Sequence, residues 1–267
     1  MNGVRLYGRY VGASLRSQMQ YPGAFLATSV GAFAATVMDF VAIWALFARF
    51  SHIEGWRFHE VALLYGVISV GFALSDTITR GFDVFGPQFV RTGDFDRLLV
   101  RPRSPLLQLL GYELRATRIG RLAQGMVAWG VAVQLSPVSW GWDGWATLLF
   151  AVAGGAALFA GVLVLQATLS FWTVESLEIV NTLTYGGIEA AQYPLDVYAR
   201  WFRTFLIYVV PIGCVSYFPV VAVLGRAPHT GAPEWLLSLT PLAGFLFLAL
   251  SLRLWGIGVR HYTSTGS

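Results

Sequence analysis

Long apolar runs alternate with short polar breaks along most of this chain, and they predict helices long enough to cross a membrane. The runs fall at 24–50, 60–79, 122–140, 145–171 and 235–256, each near the ~20 residues that a hydrocarbon core requires. The last contains Pro241. Residues 1–23 follow a different pattern, with Arg5, Arg9 and Arg16 on one narrow face at about 100° per residue, opposite Tyr7, Tyr10 and Val11. This predicts an interfacial helix on an anionic inner leaflet rather than a secretory signal, which would need an apolar core.

Two segments interrupt the apolar rhythm. The first is RTGDFDRLLVRPRSPLLQ, residues 91–108, which carries four arginines and two aspartates. So much charge cannot sit in lipid, which makes the segment a loop on the arginine-rich, cytoplasmic side. Within it Phe95, Leu98 and Leu99 alternate with Asp94, Asp96, Arg97, Arg101 and Arg103, and Pro102 and Pro105 are expected to end a helix sharply. Apolar anchors ringed by charge suit a short docking helix, while a plain solvated surface is the usual fate of a charge run. ELRATRIGR follows, with Arg115, Arg118 and Arg121 at three-residue spacing suited to lipid phosphates or an acidic partner.

The second interruption is 172–234, where hydropathy alone would choose 202–224 as a span. Helical spacing offers another choice: Glu178, Asn181, Tyr185, Glu189 and Gln192 form one continuous polar stripe, with Ile179, Val180, Leu183, Gly187 and Ala190 opposite. In a span at 174–194 that stripe must face protein or a water-filled path, because unsatisfied polar groups in hydrocarbon cost several kcal/mol each. On the cytoplasmic surface it would belong to an amphipathic helix. Periodicity supports both equally.

Composition agrees with an all-α integral membrane protein of one domain: 56% of the 267 residues are hydrophobic, 12% are charged and mean hydropathy is +0.61. All basic residues are arginine, so no phosphate-loop lysine, Schiff base or Ser-Lys dyad can form. Cys214 is the single cysteine, and His52, His59, His229 and His261 follow no metal-ligand spacing. No catalytic or metal site is expected. Asp39 lies mid-way along the first span, where a carboxylate costs roughly 2.5–3.5 kcal/mol on insertion scales. It is expected to face protein or water, either contacting a polar or cationic substrate or bonding a neighbouring helix. Asp76, one turn from the end of the second span, is expected to be solvated. Ala153, Ala157 and Gly161 form a small-residue stripe for close helix packing. Trp140, Trp142, Trp145 and Trp235 fit an interfacial belt.

The segment GGIEAAQYPLDVYARWFRTFLIYVVPIGCVSYFP is similar to the pattern that ABC-2-type exporter permeases carry after their fifth span. The matching positions are Gly186, Gly187, Pro194, Leu195, Asp196, Trp201, Arg203, Pro211, Tyr217 and Phe218; Ala199 stands where a proline is common. The loop DFDRLLVRPRSPLLQ and the terminal GVRHYTSTGS resemble a largely uncharacterised subgroup of the same family. The resemblance implies six transmembrane helices with 174–194 as the fifth, and outer re-entrant helices in 195–234. It also implies that the 80–121 loop presents a coupling helix to a separate ATPase subunit.

The implied assembly has two ATPase copies, which would bind ATP and Mg, and a second permease, the same or related, embedded among membrane lipids. No cofactor is expected in this chain, and no nucleic acid. With these spans Arg5, Arg9, Arg16, Arg80, Arg91, Arg97, Arg101, Arg103, Arg115, Arg118, Arg121, Arg253 and Arg260 lie inside, against Arg49, Arg57, Arg200, Arg203 and Arg226 outside. That excess predicts both termini cytoplasmic, and the resemblance implies a bacterial inner-membrane location. Two other readings remain open: a lipid-modifying membrane enzyme using Asp39, Glu189 and His52, or an ion-coupled transporter or channel using Asp39 and Glu189.

Overall fold

Every regular element among the described residues is helical, apart from one isolated bridge between Ile53 and Trp56. The computed structural model describes residues 8, 12, 16–17, 19–112, 118–138, 140–173, 186–226 and 231–263. The expected interfacial helix at 1–23 lies largely outside these residues.

Pro22 opens α1 (Pro22–Arg49), where its missing N–H costs nothing because the first amides of a helix have no intrahelical partner. α2 (Phe58–Asp83) begins with Glu60 accepting a hydrogen bond from the Arg57 backbone N–H at 2.8 Å. After a π-helical turn at Gly86–Val90 come the short helices α3 (Phe95–Leu99) and α4 (Pro105–Leu110). Pro105 therefore starts a helix rather than ending one, with the Ser104 hydroxyl capping the Leu107 amide. α5 (Arg118–Leu135) and α6 (Trp142–Leu169) follow. Then come α7 (Arg200–Tyr208), α8 (Ile212–Val215) and α9 (Tyr217–Val223), followed by α10 (Glu234–Leu239) and α11 (Leu242–His261).

Four helical stretches are long and apolar enough to cross a membrane: Pro22–Arg49, Phe58–Val90, Trp142–Leu169 and Glu234–His261. The pair Arg200–Tyr208 and Ile212–Val223, bent by 68°, makes up to five if it counts as one broken span. α5 ends at Leu135 rather than 140 and falls outside this set. Most of the expected span at 174–194 lies outside the described residues; 186–191 are helical. The last span is interrupted at Thr240–Pro241, where the Thr240 hydroxyl donates to the Cys214 carbonyl at 2.7 Å.

α2 is the central helix, lying along both α5 and α6, while α6 also carries α11. In their most apolar windows 83% of α2 is buried against 6% of α1, which has a single buried residue, Ile43. Close approach explains the packing. A methyl group on Gly66 would meet the Trp129 backbone of α5 at 2.8 Å, and one on Gly154 would meet the Pro241 backbone at 2.6 Å. The expected small-residue stripe of α6 holds at Ala157, which is buried, and at Gly161, which with Gly154 makes the close contacts with the last span, but not at Ala153, which is exposed.

Candidate functional site

A polar cavity of about 50 Å³ opens between α1, α2, α5 and the segment at 186–192. Three residues expected to line a substrate path meet there: Asp39 of α1, and Glu189 and Gln192 of the later segment. Glu178, Asn181 and Tyr185 lie outside the described residues. From α2, Tyr65 and Ser69 enter one helical turn apart, and from α5 come Arg121 and Gln124 at i, i+3 spacing. Tyr65 donates to the Thr36 carbonyl at 3.3 Å and accepts from the Gln124 side-chain amide at 2.8 Å. This ties α1, α2 and α5 together at the cavity wall.

The charge arrangement is two carboxylates, Asp39 and Glu189, facing one guanidinium. Arg121 sits 5.1 Å from the centroid of the Phe72 ring, a cation–π position inside the same cavity. Arg121 is therefore not the headgroup- or partner-facing arginine that its spacing suggested. Asp39 is exposed on a helix that the rest of the chain scarcely covers. Its carboxylate, near the middle of a spanning helix, must meet water or another protein surface. A site of this size holds a few waters, at ~10–15 Å³ each, or a small polar group.

Tyr65, Ser69, Arg121 and Gln124 are site residues that the sequence reading missed. Their signal was present, as polar side chains three or four residues apart within apolar helices. Asp76 is another correction: α2 continues to Asp83, so Asp76 lies about two turns inside the helix and is buried.

The charged loop folds against the ends of α2, α6 and α11. Phe95 is fully buried, contrary to its expected role as an outward anchor. It packs within 4.9–6.3 Å of Phe85, Phe171, Trp255 and Tyr262, mostly edge-on. Leu98 is buried as well, which leaves Leu99 (41% exposed) and Val100 (84% exposed) as the apolar surface of this turn. Phe95, Leu98 and Leu99 lie at i, i+3 and i+4 on one side of α3, and Phe95 and Leu98 take its buried part in the cluster that contains Trp255. Asp94 and Arg97 form a 2.9 Å ion pair in solvent, while Arg101, Pro102 and Arg103 are exposed. Burial, and then the Asp96 carboxylate, push the Tyr262 phenol up from its ordinary pKa, so it stays protonated.

At the opposite end Asp196 of the PLD motif organises the α7–α9 segment. It accepts hydrogen bonds from the Trp56 indole at 3.1 Å and the Tyr217 hydroxyl at 2.8 Å, with Arg203 at 3.8 Å. Arg203 also donates to the Leu195 and Asp196 carbonyls at 3.1 Å. Arg226 stacks over Trp56 at 4.4 Å and lies 3.5 Å from Glu60. The motif thus binds the bent α7–α9 segment to the loop between α1 and α2.

No curated protein and no solved structure is significantly similar to this chain. The family model described as ABC-2 family transporter protein matches residues 33–266, a stretch that contains the cavity, the charged loop and the Asp196 network. A match across most of the sequence, on a chain with several membrane-spanning helices, makes this multi-pass membrane protein a member of the ABC-2 transporter family and a transport permease.

Proposed function

We propose that the chain is the membrane subunit of an ATP-driven exporter and forms half of a translocation pathway with a second permease. Members of this family work with a separate ABC ATPase. Two ATPase copies would bind ATP and Mg and dock on the cytoplasmic loop through Leu99, Val100 and the charged rim of Asp94, Arg97, Arg101 and Arg103. The observation that carries the reading is the cavity in which Asp39, Glu189 and Gln192 converge with Arg121 inside a spanning bundle. A polar surface of mixed charge, with Gln124 and Gln192 buried and Asp39 and Glu189 exposed, serves a polar solute better than a lipid-facing role. Closure of the ATPase pair would press on the loop, whose Phe95 is locked to the ends of α6 and α11, and the cavity-lining helices would reorient. Glu189 and Asp39 would favour substrates with a cationic or polar group.

The test is transport in inside-out vesicles holding the permease with its ATPase. ATP-dependent uptake that survives collapse of the proton gradient supports the reading. Uptake that follows the gradient and ignores ATP overturns it in favour of an ion-coupled transporter.

A further inference from the structure

Arg121 enters the polar cavity from a turn of α5 that is pinned on both sides. A methyl group on Gly120 would meet the Ser29 carbonyl oxygen of α1 at 3.0 Å, and one on Gly125 would meet the Val70 backbone of α2 at 3.0 Å. The backbone that carries Arg121 therefore has little room to shift. Its side chain is half-buried, with the guanidinium 5.1 Å from the centroid of the Phe72 ring.

No ion pair fixes this guanidinium to the two acids of the cavity. Among the described residues the ion pairs are Arg80–Asp83, Arg97–Asp94, Arg203–Asp196 and Arg226–Glu60, and none joins Arg121 to Asp39 or Glu189. An aromatic face attracts a guanidinium without neutralising it, and arginine keeps its charge at every working pH. Arg121 is thus a fixed positive charge beside two carboxylates that it does not occupy. The remaining polar walls are neutral and partly engaged: the Gln124 amide donates to the Tyr65 hydroxyl, and the Thr36 hydroxyl turns back to the Ala32 and Phe33 carbonyls.

Size and charge together restrict the ligand. About 50 Å³ holds roughly three to five water-sized groups, so the charged head of a substrate enters while the rest stays outside. An ammonium group has that size. With one such group bound, the formal charges of Asp39, Glu189 and Arg121 and of the ligand sum to zero. A second ammonium on the same ligand leaves one positive charge uncompensated in low-dielectric surroundings, and Arg121 repels it.

We propose that Arg121 is the charge filter of this cavity, a specificity-determining residue that admits a substrate with a single ammonium group and disfavours one with two. Such a filter rests on the cavity being part of the substrate path, as proposed above. It discriminates among cations, whereas the two acids discriminate between cations and neutral compounds.

The experiment is ligand-induced thermal stabilisation of the purified full chain in nanodiscs at fixed ionic strength, with butylammonium and propane-1,3-diammonium as ligands. The two match in heavy atoms and differ by a methyl group against a second ammonium. Wild type is expected to bind butylammonium several-fold more tightly. Arg121→Gln is expected to raise affinity for the diammonium relative to butylammonium about tenfold, the order of one repulsion removed at a separation of several Å. Arg121→Met, apolar and of similar length, covers the case in which Arg121→Gln misfolds. Arg121→Lys restores the charge and is expected to keep the wild-type order, which a purely structural guanidinium would not. A ratio unchanged in both neutral variants, a wild-type preference for the diammonium, or an Arg121→Lys protein that behaves like Arg121→Gln overturns the filter. Binding of neither ligand to wild type overturns it together with the cation preference of the cavity. These ratios are read without ATP, so failure of the ATP-driven reading in the vesicle test leaves them standing.

Discussion

Tyr262, just beyond the last helix, sets its ring edge-on against Phe95 of the charged loop, with centroids 4.9 Å apart and planes at 89°. A residue near the end of the described chain thereby fixes the short helix that follows the second span. The same Phe95 ring touches Phe171 at the end of α6 and Trp255 of α11. Displacing α3 must therefore displace the ends of two further helices.

Phe95→Ala is expected to destabilise the permease by about 3–5 kcal/mol, the range for emptying a buried aromatic site. The check is the melting midpoint of purified protein, with Leu99→Ala as the comparison. Leu99 is partly exposed and its loss is expected to shift the midpoint far less.

Leu99→Asp combined with Val100→Asp is expected to leave folding intact and weaken ATPase capture on the order of thirtyfold, as for loss of a 2 kcal/mol interface anchor. Co-purification with the cognate ATPase measures it. Undiminished recovery with undiminished ATP turnover would show that these two side chains are not docking anchors.

Glu189→Gln keeps shape and most hydrogen-bonding capacity while removing one cavity charge. Expression, assembly and basal ATP hydrolysis are expected to stay near wild type, with export of cationic compounds falling several-fold more than export of neutral ones. Equal loss for both classes assigns Glu189 a structural role.

Asp196→Asn retains acceptors for Trp56 and Tyr217 but loses the charge that Arg203 faces. Asp196→Ala loses both. The expected order of destabilisation is Ala above Asn above wild type, with roughly 1–3 kcal/mol for stranding the buried donors. Limited proteolysis of the α7–α9 segment reads the order, and identical digestion of all three proteins refutes the anchoring role.

Trp201 and Val100 are both highly exposed, at 74% and 84%, and lie at opposite ends of the bundle in the proposed orientation. Single cysteines at these positions in a Cys214→Ala background are expected to react with an impermeant thiol reagent differently. The one at 201 labels from outside, and the one at 100 only after permeabilisation. The reverse pattern inverts the topology.

Much of this fold was legible because membrane spans are written in hydropathy, and Asp39, Glu189 and Gln192 because polarity inside apolar helices demands a reason. What was not legible depended on three-dimensional neighbours. Phe95 and Leu99 look alike in a charged loop, and only the rings of Phe171, Trp255 and Tyr262 decide which one turns inward. Arg121 reads as the third of three spaced arginines, yet Phe72 and the two acids of the cavity draw it in. Ala153 and Gly154 differ by one helical step of ~100°, a rotation that small-residue spacing cannot fix until Pro241 of the partner helix is placed.

The sparse burial of α1 predicts that it opens before the rest of the bundle. α2, α5, α6 and α11 share interlocked contacts and would unfold together, whereas α1 is held by its contact with α5, the Tyr65 bond to Thr36, and the rings of Phe40 and Phe47 against Phe58 and Tyr65. Because Asp39 travels with that helix, the first opening of the molecule on heating would strip one acid from the cavity while the remaining scaffold stays intact, and activity would fade before the main melting transition begins.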